Sequence, residues 1–383
     1  MKKVCVVFGT RPEAIKMAPV VKELERSPWF EPRVVVTAQH REMLDQVLEL
    51  FNITPHHDLD IMRFEQTLFD ITARVLTGLG AVFASEKPDA VLVHGDTSTT
   101  FAGSLAAYYL QIPVGHVEAG LRTGNKYSPF PEEMNRHLTG VLTDVHLAPT
   151  AGARANLLAE GVDDARIYVT GNTVIDALLD TAARPFRFMD PELAQTEEPG
   201  RRMLLVTTHR RENLGAPLAG VYRALKRILD RHSDTLVVFP VHKNPAVRRV
   251  VEQELGGRER VILTEPLPYL EFVNLMKQAA LVLTDSGGLQ EEAPSLGKPV
   301  LVLRDTTERP EAVDAGTVRL VGTDEEAVFQ TADELLSSPE AYRRMAEAVN
   351  PYGDGQGARR TVQGLAHYMG LAPRGTDFET SKT

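Results

Sequence analysis

The sequence predicts an α/β protein with two doubly wound parallel sheets in tandem, and three observations support this fold class. Short runs rich in Val, Ile and Leu alternate with longer helical patterns along the chain. These runs are continuously apolar, which is typical of parallel strands covered on both faces. Polar motifs follow directly after the runs, at the strand ends where such sheets bind ligands. The 383 residues are enough for two domains of ordinary size.

The apolar runs fall into two groups, one for each sheet. The first sheet is predicted to contain strands at 4–8, 33–37, 90–94, 114–118, 145–148 and 167–170. The second is predicted to contain strands at 203–207, 236–239, 261–263, 281–284, 300–303 and 318–320. Segment 183–202 is rich in Pro and charge with weak periodicity, which predicts a loop near the domain junction.

Composition excludes several classes of protein. Hydrophobic residues make up 43% and charged residues 25%, as in soluble globular proteins, and no apolar run approaches the roughly 20 residues that span a bilayer. The N-terminal apolar stretch is too short for a signal peptide and predicts a first strand instead. Cys5 is the only cysteine, which favours the cytoplasm. The net charge of −10 disfavours nonspecific nucleic-acid binding.

Segment 284–311 carries the most informative motif of the chain. An apolar run at 279–283 leads into Asp-Ser-Gly-Gly, and 289–295 has a helical pattern. A strand, a glycine turn and a helix start form a phosphate-binding geometry, because Gly287 and Gly288 allow close approach of the backbone and the first helical N–H groups face the anion. An ordinary turn with solvated charges is the alternative. The adjacent Glu291-Glu292 pair and the Arg309 loop favour the phosphate site.

An acidic protein that binds a diphosphate must concentrate its cations locally. The candidate cations are Arg11, Lys16, Arg210, Arg211 and Arg309. The run 9–13, GTRPE, matches neither the GxGxxG fingerprint nor a Walker A loop, which disfavours nicotinamide and kinase chemistry. Arg11 and Lys16 lie on a predicted turn and an early helix, where both could face a phosphate. A solvated turn with a surface lysine remains the alternative.

Three carboxylates, those of Asp96, Glu118 and Glu132, follow predicted strands or lie in a polar loop. Carboxylates enclosed together shift each other's pKa apart, which suits proton transfer. Asp96 could instead cap the helix that starts near Thr99, and Glu132 could merely start a helix after Pro131. Glu118 stands between an apolar run and a glycine, a position that packing explains poorly.

His209 lies in a His-Arg-Arg-Glu run at a strand end. A histidine among arginines is kept neutral or donates a hydrogen bond to phosphate. A salt-bridged turn is the alternative. The 11 histidines are scattered without the spacing of metal ligands, so we expect no metal.

Taken together, the motifs resemble those of the bacterial non-hydrolysing UDP-N-acetylglucosamine 2-epimerases. The motifs are GTRPE at 9–13, HGDT at 94–97, VEAGLRT at 117–123, PFPEEMNR at 129–136, THRREN at 208–213, TDSGGLQEEAPSLGKPVL at 284–301 and RDTTERPE at 304–311. The resemblance implies the GT-B fold, two Rossmann-like domains facing a central cleft, and a homodimer. The expected domains are 1–172, 173–365 with UDP binding, and 366–383, which returns to the first domain.

The resemblance also implies the chemistry and the residues that perform it. UDP leaves C1 as the C2 proton is lost, 2-acetamidoglucal forms, and UDP adds back to give UDP-N-acetylmannosamine. Neither a metal nor a redox cofactor is implied. The implied catalytic residues are Asp96, Glu118, Glu132 and His209. The implied substrate contacts are Arg11, Lys16, Arg136, Arg210, His242, Phe272, Ser286, Gly287, Gly288, Glu292 and Arg309. The expected partners are UDP-N-acetylglucosamine, UDP-N-acetylmannosamine and UDP, without nucleic acid or membrane insertion.

Two other enzyme classes compete with this interpretation. A GT-B glycosyltransferase would use the same UDP pocket but needs fewer proton-transfer groups. The hydrolysing relative would release UDP and free N-acetylmannosamine.

One departure from the family pattern concerns substrate activation. Members activated by substrate carry a QHRQM-like run and an arginine before Gln-Thr-Leu. This chain has Gln39-His40-Arg41-Glu42-Met43, with Glu42 in place of a glutamine, and Glu65 in place of the arginine. Two acids should repel a diphosphate sugar, so we expect weak or no substrate activation, or a different mode of binding for the activator.

Overall fold

The computed structural model describes residues 1–38, 41–210 and 213–380, and it confirms the predicted α/β class with two parallel sheets. By its internal contacts the chain divides into two compact units. Unit 1 comprises Met1–Ala177 and Tyr352–Glu379, and unit 2 comprises Leu178–Pro351 and Thr380.

Unit 1 contains a seven-stranded sheet in the order β3-β2-β1-β4-β5-β6-β7. Its strands are β1 Lys2–Phe8, β2 Phe30–Val36, β3 His57–Asp58, β4 Ala90–His94, β5 Val114–Val117, β6 Val145–Ala148 and β7 Ile167–Val169. Its helices are α1 Arg11–Arg26, α2 Arg41–Leu50, α3 Leu68–Glu86, α4 Ser98–Tyr109, α5 Glu132–Leu142, α6 Ala151–Ala159, α7 Thr173–Ala182 and α16 Gly357–Tyr368, with a 3-10 turn at Asp164–Arg166. The end of α7 crosses into unit 2.

Unit 2 contains a six-stranded sheet in the order β10-β9-β8-β11-β12-β13. Its strands are β8 Arg202–Thr207, β9 Thr235–Pro240, β10 Val261–Thr264, β11 Ala279–Thr284, β12 Val300–Val302 and β13 Val318–Leu320. Its helices are α8 Pro191–Ala194, α9 Ala216–Arg231, α10 Pro245–Leu255, α11 Tyr269–Gln278, α12 Gly287–Ser295, α13 Pro310–Asp314, α14 Glu325–Ser337 and α15 Pro339–Ala346, with a 3-10 turn at Gln195–Glu197.

The sequence pattern predicts the buried strands but not the edge strand β3. Central strands such as β4 and β11 are buried along their length, and their continuous apolar runs are why periodicity detects them. Strand β3 has two polar residues and pairs only with β2 among the described strands, so it carries no apolar signal. The predicted loop 183–202 contains the single-turn helix α8 and a 3-10 turn.

The chain returns to unit 1 at Tyr352, whereas the sequence places this return at 366. The backbone N–H of Asn172 donates to the carbonyl of Tyr352 at 2.6 Å. Asp176 on α7 accepts the N–H groups of Gly357 and Ala358 at 3.0 and 2.9 Å. These bonds tie the start of α16 to unit 1, and the rest of α16 packs on α1, β6 and β7.

One described helix, α3, is long and apolar enough to cross a membrane by length and composition alone. One face of α3 packs into the core of unit 1 through Ile71, Val75, Leu79 and Phe83. Core helices of globular proteins pass the same test, so α3 by itself is weak evidence for a membrane span.

Each sheet has one point where its strand order reverses direction. In unit 1 this switch lies between β1 and β4, and in unit 2 between β8 and β11. Doubly wound sheets bind ligands at such points, because the loops that leave the two strands diverge and open a crevice. The loops after these four strands are therefore expected to contribute to a ligand site.

Candidate functional site

The turns after β1 and β4 are joined by a buried carboxylate. Glu13 on α1 is 2% exposed and accepts the backbone N–H groups of Gly9 and Thr10 at 3.1 and 2.8 Å. Its second oxygen accepts the hydroxyls of Thr97 and Thr100 at 2.7 and 3.3 Å. Through these bonds Glu13 connects the turn after β1 to the turn after β4. Arg11 and Lys16 lie on the same helix as Glu13, α1.

Asp96 does not cap α4. The capping residue is Thr97, whose side-chain oxygen accepts the N–H of Thr100 at 3.2 Å. The Asp96 carboxylate instead accepts a hydrogen bond from the buried guanidinium of Arg136 at 2.6 Å. Two neighbouring carboxylates, those of Asp96 and Glu118, keep the pKa of Arg136 above its ordinary value despite its burial.

Glu118 is the centre of the polar cluster in unit 1. Its backbone lies in the left-handed region at φ +63°, which is uncommon for a residue with a side chain. Lys16 forms a short ion pair with its carboxylate, and Asn172 donates to it at 3.0 Å. Arg136 donates to its carboxylate at 3.3 Å and also to its backbone carbonyl. These contacts fix both the strained backbone and the direction of the carboxylate.

Burial raises the pKa of Glu118, but the charge of Lys16, followed by those of His94 and Arg136, outweighs that effect. The pKa of Glu118 therefore lies well below its usual range. The result is an ionised carboxylate of low exposure that is held by cations. Such a group accepts a proton only when a reaction supplies one of high acidity.

Glu132 begins α5 and is half-buried. Among the described residues, no hydrogen bond or ion pair joins it to Arg136, the arginine that holds Asp96 and Glu118. Its neighbour Glu133 is the buried carboxylate of this loop and accepts the N–H groups of Thr123 and Gly124. The structure therefore joins Asp96 to Glu118 through Arg136, and leaves Glu132 outside that network.

In unit 2, Ser286 precedes α12, which starts at Gly287 as a phosphate-binding turn requires. Within the described chain, the Ser286 side chain accepts no hydrogen bond from the helix backbone. The first N–H groups of α12 are thus not capped by Ser286. A Cβ on Gly287 would lie 2.9 Å from an oxygen of Glu308, so this glycine allows a carboxylate to approach the helix start.

A second buried carboxylate lies beside this turn. Asp285 has no exposed surface and accepts the backbone N–H of His209 at 3.0 Å and that of Arg210 at 3.0 Å. Nδ1 of His209 lies 2.9 Å from an oxygen of the same carboxylate. Burial raises the pKa of Asp285, and the bonds from His209 and Arg210 reverse that shift to below its ordinary value. Asp285 is therefore an ionised carboxylate, and it orients the His209 ring.

Four other predicted substrate contacts, His242, Phe272, Glu292 and Arg309, also lie in unit 2. The His242 ring is 5.9 Å from that of His209, and burial followed by the charge of His209 lowers the pKa of His242. Glu292 accepts the hydroxyl of Tyr269 at 3.1 Å, and Arg309 forms a short ion pair with buried Glu291. Phe272 is half-buried on α11, the helix that starts at Tyr269.

The model of the family described as UDP-N-acetylglucosamine 2-epimerase matches residues 22–366. The chain belongs to this family. It is 56% identical over 380 residues to the UDP-N-acetylglucosamine 2-epimerase of Bacillus subtilis, with 99% of each chain covered. The resemblance that the sequence motifs carry is thereby confirmed, and with it the enzyme class, an isomerase.

Solved structures agree in fold with this epimerase family member. The Neisseria meningitidis UDP-GlcNAc 2-epimerase bound to UDP-GlcNAc is 49% identical, has a TM-score of 0.86, and covers 95% of this chain and 100% of its own. The Methanocaldococcus jannaschii UDP-GlcNAc 2-epimerase in complex with UDP-GlcNAc and UDP is 34% identical, with a TM-score of 0.76 and coverage of 95% and 99%. These likenesses support the predicted GT-B-like architecture.

Sequence reasoning missed three polar partners in this epimerase. Asn172 donates to Glu118, and Asp285 orients His209. His94 is buried with Nε2 3.7 Å from Glu118, and neither of its ring nitrogens has a hydrogen-bond partner among the described residues. All three follow or end a buried strand, and that position was the available signal. His94 and Asp285 even lie inside motifs that the sequence singled out.

Some predicted positions lie outside the described residues. These are Gln39, His40 and Arg211, together with the side chain of Glu42. Glu65 is described, is exposed and has φ +52°. The expected weakness of substrate activation stays a prediction.

Proposed function

We propose that this chain interconverts UDP-N-acetylglucosamine and UDP-N-acetylmannosamine without releasing the free sugar. The observation that carries the proposal is a pair of carboxylates, those of half-buried Asp96 and buried Glu118, that are held by one buried arginine. Family membership supports the substrate, since the Neisseria meningitidis and Methanocaldococcus jannaschii relatives hold UDP-GlcNAc, the latter with UDP.

The proposed reaction breaks the bond between C1 and the UDP oxygen, and UDP keeps the bonding electrons. A carboxylate takes the C2 proton, and the electrons of that C–H bond form the C1=C2 double bond of 2-acetamidoglucal. A second group then returns a proton to the opposite face of C2, and the UDP oxygen bonds again to C1. Proton transfer of this kind contributes roughly 10²–10⁴-fold to rate.

The roles divide between the two units. Asp96, Glu118 and Glu132 would supply proton transfer, and Arg11, Lys16 and Arg136 would bind the sugar and diphosphate. Ser286, Gly287, Gly288 and Arg210 would bind phosphate, Glu292 the ribose hydroxyls, and Phe272 the uracil. His209, with its proton position set by Asp285, would donate to the departing UDP, and His242 and Arg309 would complete the pocket. That all these groups act on one substrate is part of the proposal.

The C2 proton becomes acidic only as positive charge develops at C1. A site for this reaction must therefore stabilise UDP as it leaves and hold a base that is already ionised. The lowered pKa of Glu118 supplies such a base, and the arginines near the α12 turn supply the cations. A glycosyltransferase would need an acceptor site in place of this pair of carboxylates.

The decisive test is proton NMR of the purified protein with UDP-N-acetylglucosamine in D2O. We expect UDP-N-acetylmannosamine to appear, with deuterium entering C2 of both nucleotide sugars. Free N-acetylmannosamine with UDP would replace the proposal by the hydrolysing reaction. Unchanged substrate with a folded, UDP-binding protein would favour a glycosyltransferase.

We also propose that the product serves the synthesis of envelope polysaccharides, that the enzyme is cytoplasmic, and that it works as a homodimer. Light scattering at working concentration tests the last point, with the mass of two chains expected.

A further inference from the structure

The α12 turn of unit 2 has a carboxylate placed against it. Glu308 lies in the loop after β12, and its Oε1 is 2.9 Å from the position of a Cβ on Gly287. The side chain is 31% exposed. The start of a helix attracts anions, so a carboxylate at this point occupies the kind of position that a phosphate oxygen takes.

Arginines surround the same carboxylate. Arg304 donates to one oxygen of Glu308 at 2.6 Å, and Arg210 donates to the other at 3.1 Å. Arg309 lies 4.0 Å from it. Burial raises the pKa of Glu308, while its own backbone N–H and the arginines lower it to below the ordinary value. Glu308 is therefore a charged anion between a helix start and the cations expected to bind a diphosphate.

We propose that Glu308 is an affinity-setting residue, an internal anion that competes with the diphosphate of the nucleotide for the α12 turn and for Arg210. This inference rests on the proposed function, because it takes the α12 turn as the diphosphate site. Two anions cannot share these donors without strong repulsion, so binding of UDP must displace the Glu308 carboxylate. The energy lost in that displacement weakens the binding of substrate and product alike.

A competing carboxylate has a use in this enzyme. Binding that is equally tight for substrate and transition state does not speed the chemical step, and very tight UDP binding would slow product release. An internal anion lowers affinity without removing any donor that the departing UDP needs. Neutralising Glu308 should therefore tighten binding rather than weaken it.

The test compares Glu308→Gln with the wild-type enzyme by titration calorimetry with UDP, inorganic pyrophosphate and uridine. We expect UDP and pyrophosphate to bind at least about threefold more tightly to the variant, the scale of one partly exposed ion pair. Uridine carries no phosphate, so its affinity should not change. Glu325→Gln is the matched control, since it removes one negative charge of unit 2 from an ion pair with Arg223 on α9.

Several results would overturn the inference. Weaker or unchanged UDP binding by Glu308→Gln would mean that Glu308 holds the arginines in place or swings away freely. If the variant also bound uridine more tightly, the increase in affinity would not come from the phosphate site. Glu308→Asp keeps the charge on a side chain shorter by one methylene group. Its affinity for UDP should increase less than that of the Gln variant, and it replaces that variant in the test if Glu308→Gln does not fold. Failure of the wild-type enzyme to bind UDP would instead reject the proposed function.

Discussion

Nδ1 of His209 lies 2.9 Å from a carboxylate oxygen of Asp285, a side chain with no exposed surface. The two residues are 76 positions apart and follow β8 and β11, the neighbouring strands at the switch point of unit 2. The negative charge of Asp285 favours a proton on Nδ1, and it leaves Nε2 as the other reactive atom of the ring. We therefore expect the effects of substitutions at His209 and Asp285 on turnover to depend on each other.

Replacing Asp285 with Asn should lower kcat by about a hundredfold, because the His209 ring loses the partner that sets its orientation. The measurement is a double-mutant cycle with His209→Asn, scored by turnover of UDP-N-acetylglucosamine. If Asp285 acts through His209, the double variant should be no slower than His209→Asn alone. Losses that multiply would show that Asp285 acts elsewhere, for example on the Arg210 backbone.

Glu118→Gln should reduce turnover by roughly 10²–10⁴-fold, since the amide cannot take up a proton but fills the same space. Binding of uridine should change by less than about twofold, because the proposed uracil and ribose contacts, Phe272 and Glu292, lie in unit 2. Glu25→Gln is the control, as Glu25 is an exposed residue of α1 that pairs with Lys22. A Gln variant within tenfold of wild type would remove Glu118 from the proposed mechanism.

Gly120 should tolerate no side chain, and Gly161 supplies a matched comparison. Both have left-handed backbones, at φ +88° and +86°. A Cβ on Gly120 would lie 2.3 Å from the carbonyl oxygen of Ala153, whereas one on Gly161 meets nothing within 4 Å. We expect Gly161→Ala to cost about 1–2 kcal/mol of stability from backbone strain alone.

Gly120→Ala should cost several kcal/mol more, or prevent folding, because the clash involves backbone. Thermal melting of both variants measures the difference. Equal melting temperatures would contradict the close approach of α6 to the loop that carries Glu118.

Asp176 should make stability depend on pH between about 4 and 6. Burial raises its pKa from 3.8 to about 6, and the bonds from Ala358 and Gly357 only partly offset that shift. In this window the folded protein binds more protons than the unfolded chain, so stability falls as pH rises, by at most about 3 kcal/mol from this group.

Scanning calorimetry of wild type and Asp176→Asn across this window tests the point. The variant lacks the titrating group, so its melting temperature should rise relative to wild type from pH 4 to pH 6. A constant difference across that range would mean that the carboxylate titrates normally.

The rate should depend hyperbolically on UDP-N-acetylglucosamine, because Glu42 and Glu65 place negative charge where substrate-activated relatives carry other residues. Steady-state kinetics over a wide range of substrate concentration provide the check. A sigmoidal curve that becomes hyperbolic on mutation of Gln39 would contradict it.

The sequence alone determined the architecture and most of the candidate residues of this protein. Continuous apolar runs predict buried parallel strands such as β4 and β11. Asp96, Glu118 and the 286–288 turn come shortly after such runs. These are local signals, readable within about ten residues, because burial of a strand and the turn after it depend on adjacent side chains.

Only the tertiary structure decided which of these side chains lie in contact with one another. Arg136 reaches Asp96 across 40 positions, Asn172 reaches Glu118 across 54, and Glu308 reaches Arg210 across 98. No local pattern encodes these pairs, since each depends on the strand order of a sheet and on the loops that meet at the carboxyl ends of its strands. The same is true of the cap on α4, where Thr97 takes the position and frees Asp96 for Arg136.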